Sequence, residues 1–142
     1  VRTVYQKKIE DEIRCPLRHG LQEFGGKWKP RIICVLNYKK TLRYSELRAE
    51  MADITDPVLA AALKELIRDN LVHRRSYDEI PPKVEYSLTE RGKSVMPILQ
   101  SICQWEDSFQ KADADSDIKL CKKCDYKRHA AKQQNSKSRK HA

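Results

Sequence analysis

Glycine is scarce in this chain, with four residues in 142, and phenylalanine occurs twice. The few glycines leave no room for a phosphate-cradling loop: Gly25-Gly26-Lys27 comes nearest, and the rest of that motif is missing. No apolar run approaches the length of about eighteen residues that a membrane span requires. The first stretch, VRTVYQKKIEDEIR, mixes charges and lacks the apolar core of a secretion signal. The five cysteines (Cys15, Cys34, Cys103, Cys121 and Cys124) are odd in number and irregularly spaced. That argues against a disulfide scaffold and for reduced thiols. Cys15 and His19 have the spacing of a nucleophile–base pair, but no third orienting group or oxyanion site is visible. The expectation from these absences is a soluble, cytoplasmic protein that is not an enzyme and has no membrane partner.

What is present is positive charge, unevenly placed. Residues 119–142 hold nine Lys/Arg against one Asp, a net +8. Residues 1–118 hold twenty Lys/Arg against nineteen Asp/Glu, a net +1. The tail therefore makes the chain basic. A polyanion such as duplex DNA is its natural partner, and a solvated, disordered end is the plain alternative. The length suits one domain with a real core. We place the domain at residues 1–112 and a basic, mobile tail with a CxxC at 113–142.

Punctuation and periodicity divide the domain. Residues 4–14 read as a short helix or arm with Val4, Ile9 and Ile13 as apolar points. Pro16 opens a second helix that stops at Gly25-Gly26. Trp28, Ile32, Val35 and Leu36 mark a third, with Pro30 in its first turn. KKTLRY is a turn or a very short strand, and YSELRAEM a short helix with Ser45 as the candidate cap. ITDPVLAAALKELIRD then starts on Thr55 or Asp56, with Asn70 as a left-handed stop. Its buried stripe is Leu59, Ala62, Leu63, Leu66 and Ile67, and Pro57, Ala60, Ala61, Lys64 and Arg68 face outward. LVHRRSY and KVEYSL are strands joined by the proline-stiffened DEIPP. Thr89 caps a long last helix, about 90–111, with a stripe of Val95, Ile98, Leu99, Ile102, Trp105 and Phe109.

The three helices before the hairpin, the two-stranded hairpin itself and the last helix make an α+β, mostly α, winged helix-turn-helix layout with flanking dimerisation helices. The helix at 55–69 would enter the major groove and the hairpin at 71–88 would be the wing. Candidate DNA-contacting residues are Lys27, Arg43, Tyr44, Thr55, Asp56, Pro57, Ala60, Ala61, Lys64, Arg68, Arg74, Arg75 and Lys83. The alternatives are a protein-interaction module on the same scaffold and a non-specific DNA binder that works through its tail.

The motifs CPLRHGLQEFGGKW, RYSELR, LKELIRDNLVHR and IPPKVEYSLTERGKSVMPIL, in that order over about residues 13–107, resemble the HxlR-type winged-helix regulators. The resemblance implies a homodimeric transcription regulator. Its dimer would be built from the N-terminal segment and the last helix: Val4, Ile9, Ile13, Val95, Ile98, Leu99, Ile102, Trp105 and Phe109. One small winged domain cannot bury that whole stripe, so a second copy is also a physical expectation. Where members of that family commonly carry Lys, Thr/Ser, Gln and Arg, this chain has Pro57, Ala60, Ala61 and Ala62. Methyl groups can touch thymine but cannot hydrogen-bond. Recognition would then lean on the wing, on phosphates and on DNA shape.

Two thiol clusters complete the reading. Cys15 stands before Pro16 at a helix N-cap, where backbone N–H groups favour a thiolate. In many proteins of the resembled family the matching cysteine senses oxidants or electrophiles. A small inert cysteine is the alternative. Cys121, Cys124 and His129 could hold zinc, although a closed site wants four ligands; a redox dithiol or free thiols are the alternatives. No other cofactor is expected, and no small-molecule effector is legible.

Overall fold

In the computed structural model, residues 3–6 and 14–110 are described. The chain divides into two units, Val1–Lys93 and Ser94–Ala142. The expected boundary near residue 112, the basic tail and the CxxC all lie outside the described residues, as do Ile9 and Ile13.

In the first unit, residues 4–6 are helical, and α1 (Pro16–Phe24) follows with Cys15 at its N-cap. The Gly25 N–H bonds the Leu21 carbonyl at 2.8 Å, and Gly26 turns the chain away at φ 94°. Next come α2 (Lys29–Lys39), β1 (Thr41–Arg43) and α3 (Tyr44–Met51). Ser45 does not cap α3. The helix fills the expected span, but its N-cap is Arg43, two residues earlier, and the Arg43 N–H donates to Glu46 Oε1 at 3.2 Å. α4 (Asp56–Arg68) has Thr55 at its N-cap, but the Thr55 hydroxyl makes no capping bond.

Asn70 stops α4 as expected. It sits at φ 59°, its N–H bonds the Ile67 carbonyl, and the Leu71 N–H bonds the Leu66 carbonyl at 2.9 Å. These two bonds are the Schellman pair, and the accompanying apolar residues, Leu66 and Leu71, are both buried. The same reversal receives the start of α5 (Glu90–Gln110). Thr89 donates to the Asn70 carbonyl at 2.6 Å and accepts from the Gly92 N–H at 2.9 Å. Arg91 donates to the Asp69 carbonyl at 2.6 Å and pairs with Glu23 of α1.

The expected hairpin is present, and the sheet adds a third strand to it. β2 (Val72–Tyr77) and β3 (Lys83–Leu88) form the hairpin, and β1 pairs with the other edge of β3, giving an antiparallel sheet of order β1-β3-β2. Three residues are too few to show a period, so β1 was barely legible. Its place explains why β3 lacks the clean inside–outside alternation expected of it: as the central strand it is half-buried from Lys83 to Ser87. Leu42 of β1 pairs with Tyr86, and the core beside the sheet is filled by Ile32, Ile33 and Leu36 of α2, Leu47 and Met51 of α3, and Leu59, Leu63 and Leu66 of α4. Each such side chain, fully buried, contributes about 1.5–3 kcal/mol.

The second unit begins within α5. Pro97 lies inside this helix and supplies no N–H to its ladder, and Ser101 Oγ donates to the Pro97 carbonyl at 2.9 Å. Val95 and Leu99 are buried already in the single chain, while Ile98, Ile102, Trp105 and Phe109 are exposed. The rings of Trp105 and Phe109 meet edge to face, 5.5 Å apart.

Candidate nucleic-acid interface

α4 buries Leu59, Ala62, Leu63 and Leu66, and this fixes what it shows to solvent. Asp56, Pro57, Val58, Ala60, Ala61, Lys64 and Arg68 are exposed. Ile67, expected in the buried stripe, is only half-buried, and Val58 joins the outward face. From Pro57 to Ala61 that face is aliphatic. Arg68, at its far end, is drawn to Asp69 (3.3 Å), which raises the guanidinium pKa further. Lys64 remains as an extended cation midway.

The N-terminal end of α4 is tied to α3. Asp56 Oδ1 lies 3.0 Å from Arg48 Nε. That N–H is buried and has no aligned acceptor among the described residues, so the contact is an ion pair rather than a hydrogen bond. The Tyr44 hydroxyl reaches both Asp56 Oδ1 and the Asp56 carbonyl at 3.3 Å. Desolvation first, and the Asp56 carboxylate second, raise the Tyr44 pKa, so the phenol stays a donor. Neither the Arg48 contact nor its role was found from the sequence, because its partner is eight residues away on a different helix.

The sheet sorts the wing cations by face. Arg43 and Arg75 both stand opposite Glu85, and Tyr77 stands opposite Lys83. Residues opposite one another, or two apart on one strand, share a face. Arg43, Arg75, Lys83, Tyr77 and Glu85 therefore share one face. Arg74, opposite Tyr86, is on the other, with Leu42 and Leu88. The two candidates Arg74 and Arg75 therefore lie on opposite faces of the sheet.

On the shared face, the Arg75 guanidinium and the Lys83 ammonium lie 4.7 and 5.0 Å from the Tyr77 ring centre. Glu85 accepts from the Tyr77 hydroxyl at 3.0 Å and pairs with Lys83 at 2.8 Å. The Lys83 bond, then the Tyr77 bond, lower the Glu85 pKa, and Glu85 in turn raises that of Lys83. Three cations share this face with one carboxylate, so it stays positive and is held by its own contacts.

The remaining candidates are separate. Lys27 is exposed and sits 4.7 Å over the Trp28 ring, which Arg31 also approaches. Thr55 is exposed beside Asp56. Cys15 is exposed at the start of α1, whereas Cys34 and Cys103 are half-buried. Val4 is exposed. Cys121, Cys124 and His129 fall outside the described residues.

Residues 23–114 match the family model described as HxlR-like helix-turn-helix. An uncharacterized HTH-type transcriptional regulator of Methanothermobacter thermautotrophicus is 45% identical over 96 residues, 68% of this chain and 72% of that protein. The uncharacterized HTH-type transcriptional regulator YdzF of Bacillus subtilis is 46% identical over 92 residues, 65% of this chain and 84% of YdzF. Among solved structures, the redox regulator HypR in its oxidized form is 36% identical with a TM-score of 0.62, covering 73% of this chain and 100% of that one.

Proposed function

Because the chain belongs to the HxlR-like helix-turn-helix family of DNA-binding transcription regulators, we propose that it acts as a homodimer on paired half-sites and that thiol chemistry at Cys15 switches it. The observation that carries the DNA reading is the outward face of α4. It is open from Asp56 to Arg68 while its other side is packed into the core. α4 enters the major groove, and its methyl groups bring the backbone close. Lys64 and Arg68 on α4, and Arg43, Arg75 and Lys83 on the wing, neutralise phosphates. Tyr44 and Thr55, next to Asp56 at the start of α4, are further candidate contacts, and Lys27 is a separate one.

The exposed side chains Ile98, Ile102, Trp105 and Phe109 recur at helical spacing, and they support a second copy as partner. Val4, also exposed, is a further candidate contact for a second copy. Cys15 is exposed at the N-terminus of α1, where a reagent can reach it. The likeness to a redox regulator supports assigning it a sensing role.

The test is selection of the full chain on a random-sequence duplex pool at physiological salt. The expected product is a palindrome with half-sites about one helical turn apart. Diamide treatment should change affinity for it, and the Cys15→Ser variant should not respond. Binding without enrichment would overturn the sequence-specific reading in favour of a non-specific binder. An unchanged diamide response in Cys15→Ser would remove the switch.

A further inference from the structure

We propose that Arg48 is a DNA-contacting residue, and that Asp56 and Tyr44 are positioning residues that aim its guanidinium at a backbone phosphate. The proposal rests on the reading that α3 and α4 dock on duplex DNA. The argument starts from what α4 lacks. Between Asp56 and Lys64 its exposed side chains are Pro57, Val58, Ala60 and Ala61, none of which carries a hydrogen-bond donor. A reading helix of this kind needs donors from outside itself to fix its register on the duplex.

Arg48 is the donor placed at its N-terminal end. Its side chain is 37% exposed, although Nε itself is buried. Asp56 is its one partner among the described residues, and that contact uses the Nε side. Four of the five guanidinium N–H groups belong to the two Nη atoms, enough for a bidentate grip on a phosphate. The first helix of a helix-turn-helix crosses the DNA backbone, so phosphate is the chemistry an α3 side chain meets there.

The carboxylate is placed to act as a support. Asp56 is 68% exposed at the start of the helix that approaches DNA. Alone it would repel phosphate. Paired with Arg48 it is neutralised, and it removes much of the rotamer freedom that an arginine otherwise loses on binding. Tyr44 reaches the same carboxylate oxygen, Oδ1, and the Asp56 carbonyl through its hydroxyl, so the arrangement spans the turn between the two helices.

This gives a test in which two explanations differ in sign. Asp56→Asn removes a negative charge, so charge alone predicts tighter DNA binding. A positioning role predicts weaker binding, about 3–10-fold. The full chain is titrated by fluorescence anisotropy against two labelled 30-base-pair duplexes, one of an enriched sequence and one shuffled. Arg48→Ala should lower affinity about tenfold on both and reduce the salt slope by roughly one phosphate's share. In the Arg48→Ala background, Asp56→Asn should no longer weaken binding. Arg48→Lys, which keeps the charge without the planar fork, should fall between, and it carries the test if Arg48→Ala does not fold.

Equal or tighter binding by Asp56→Asn overturns the proposal. So does a loss in Arg48→Ala that changes sequence preference with the salt slope intact, because that would mark a base contact. A wild-type chain that binds neither duplex overturns this inference and the reading beneath it together. Normal wild-type binding with an insensitive Arg48 removes this inference alone.

Discussion

At the scale of single residues, the tightest constraint is Gly92. A Cβ there would lie 2.0 Å from the Leu71 carbonyl oxygen and 3.0 Å from its carbon. Both are backbone atoms, in the segment that closes α4 and carries the Thr89 N–H bond to Leu71. No side-chain rotation relieves the contact, so Gly92→Ala must move the start of α5 or the end of α4. We expect a loss of about 2–4 kcal/mol, in the upper range of overpacking effects. For a domain of this size that lowers Tm by roughly 10 °C or more. Gly20→Ala is the matched control. Its Cβ would meet the Phe24 ring at an ordinary 3.4 Å, and alanine suits a helix better than glycine. Circular-dichroism melts of both variants decide the matter. A Gly92→Ala melt matching the wild type would show that the close approach is not a constraint.

At the scale of elements, most boundaries were legible because each is set by a local rule. Pro16 and Pro30 in first turns, Gly25 and Asn70 as stops, and Thr89 as a cap all stand where the sequence places them. What was not legible depends on partners distant in the chain. β1 exists because β3 offers it an edge, and Arg48 matters because Asp56 reaches it from another helix. The faces of β2 were in principle readable, since neighbours on a strand point opposite ways. Arg74 and Arg75, adjacent in sequence, fall on opposite faces by that period. The wing can now be tested against α4. Arg75→Ala should weaken binding to every sequence about three- to tenfold, whereas Arg74→Ala, from the other face, should cost less. Ala61→Gln should act differently. It gives α4 an amide that can pair with adenine, so it should change which sequences are selected while leaving shuffled-duplex affinity near wild type. Equal losses from Arg74→Ala and Arg75→Ala would remove the distinction between the faces.

At the scale of the whole molecule, function turns on how two kinds of DNA affinity combine. Residues 119–142 carry net +8 against net +1 for residues 1–118, so sequence-independent attraction should come mainly from the tail and fade with salt. Selective affinity should instead come from doubling a weakly reading domain. A helix faced with alanine contributes little per half-site, and a homodimer makes the second half-site contact effectively intramolecular. The apolar face of α5 is the place to separate the two. Trp105 is 63% exposed and Phe109 65%, too much aromatic surface for a lone helix end to leave in water without reason. Trp105→Glu places a charge in the centre of that face and should convert the proposed dimer to a chain of 16.6 kDa by sedimentation velocity at micromolar concentration. The same variant should lose about a hundredfold on a palindromic duplex while keeping its affinity for a shuffled one, because the tail is untouched. A Trp105→Glu variant that still sediments as a dimer would place the interface elsewhere. A monomer that keeps full palindrome affinity would mean that each chain reads its half-site alone, and the weak reading of α4 would then have to be abandoned.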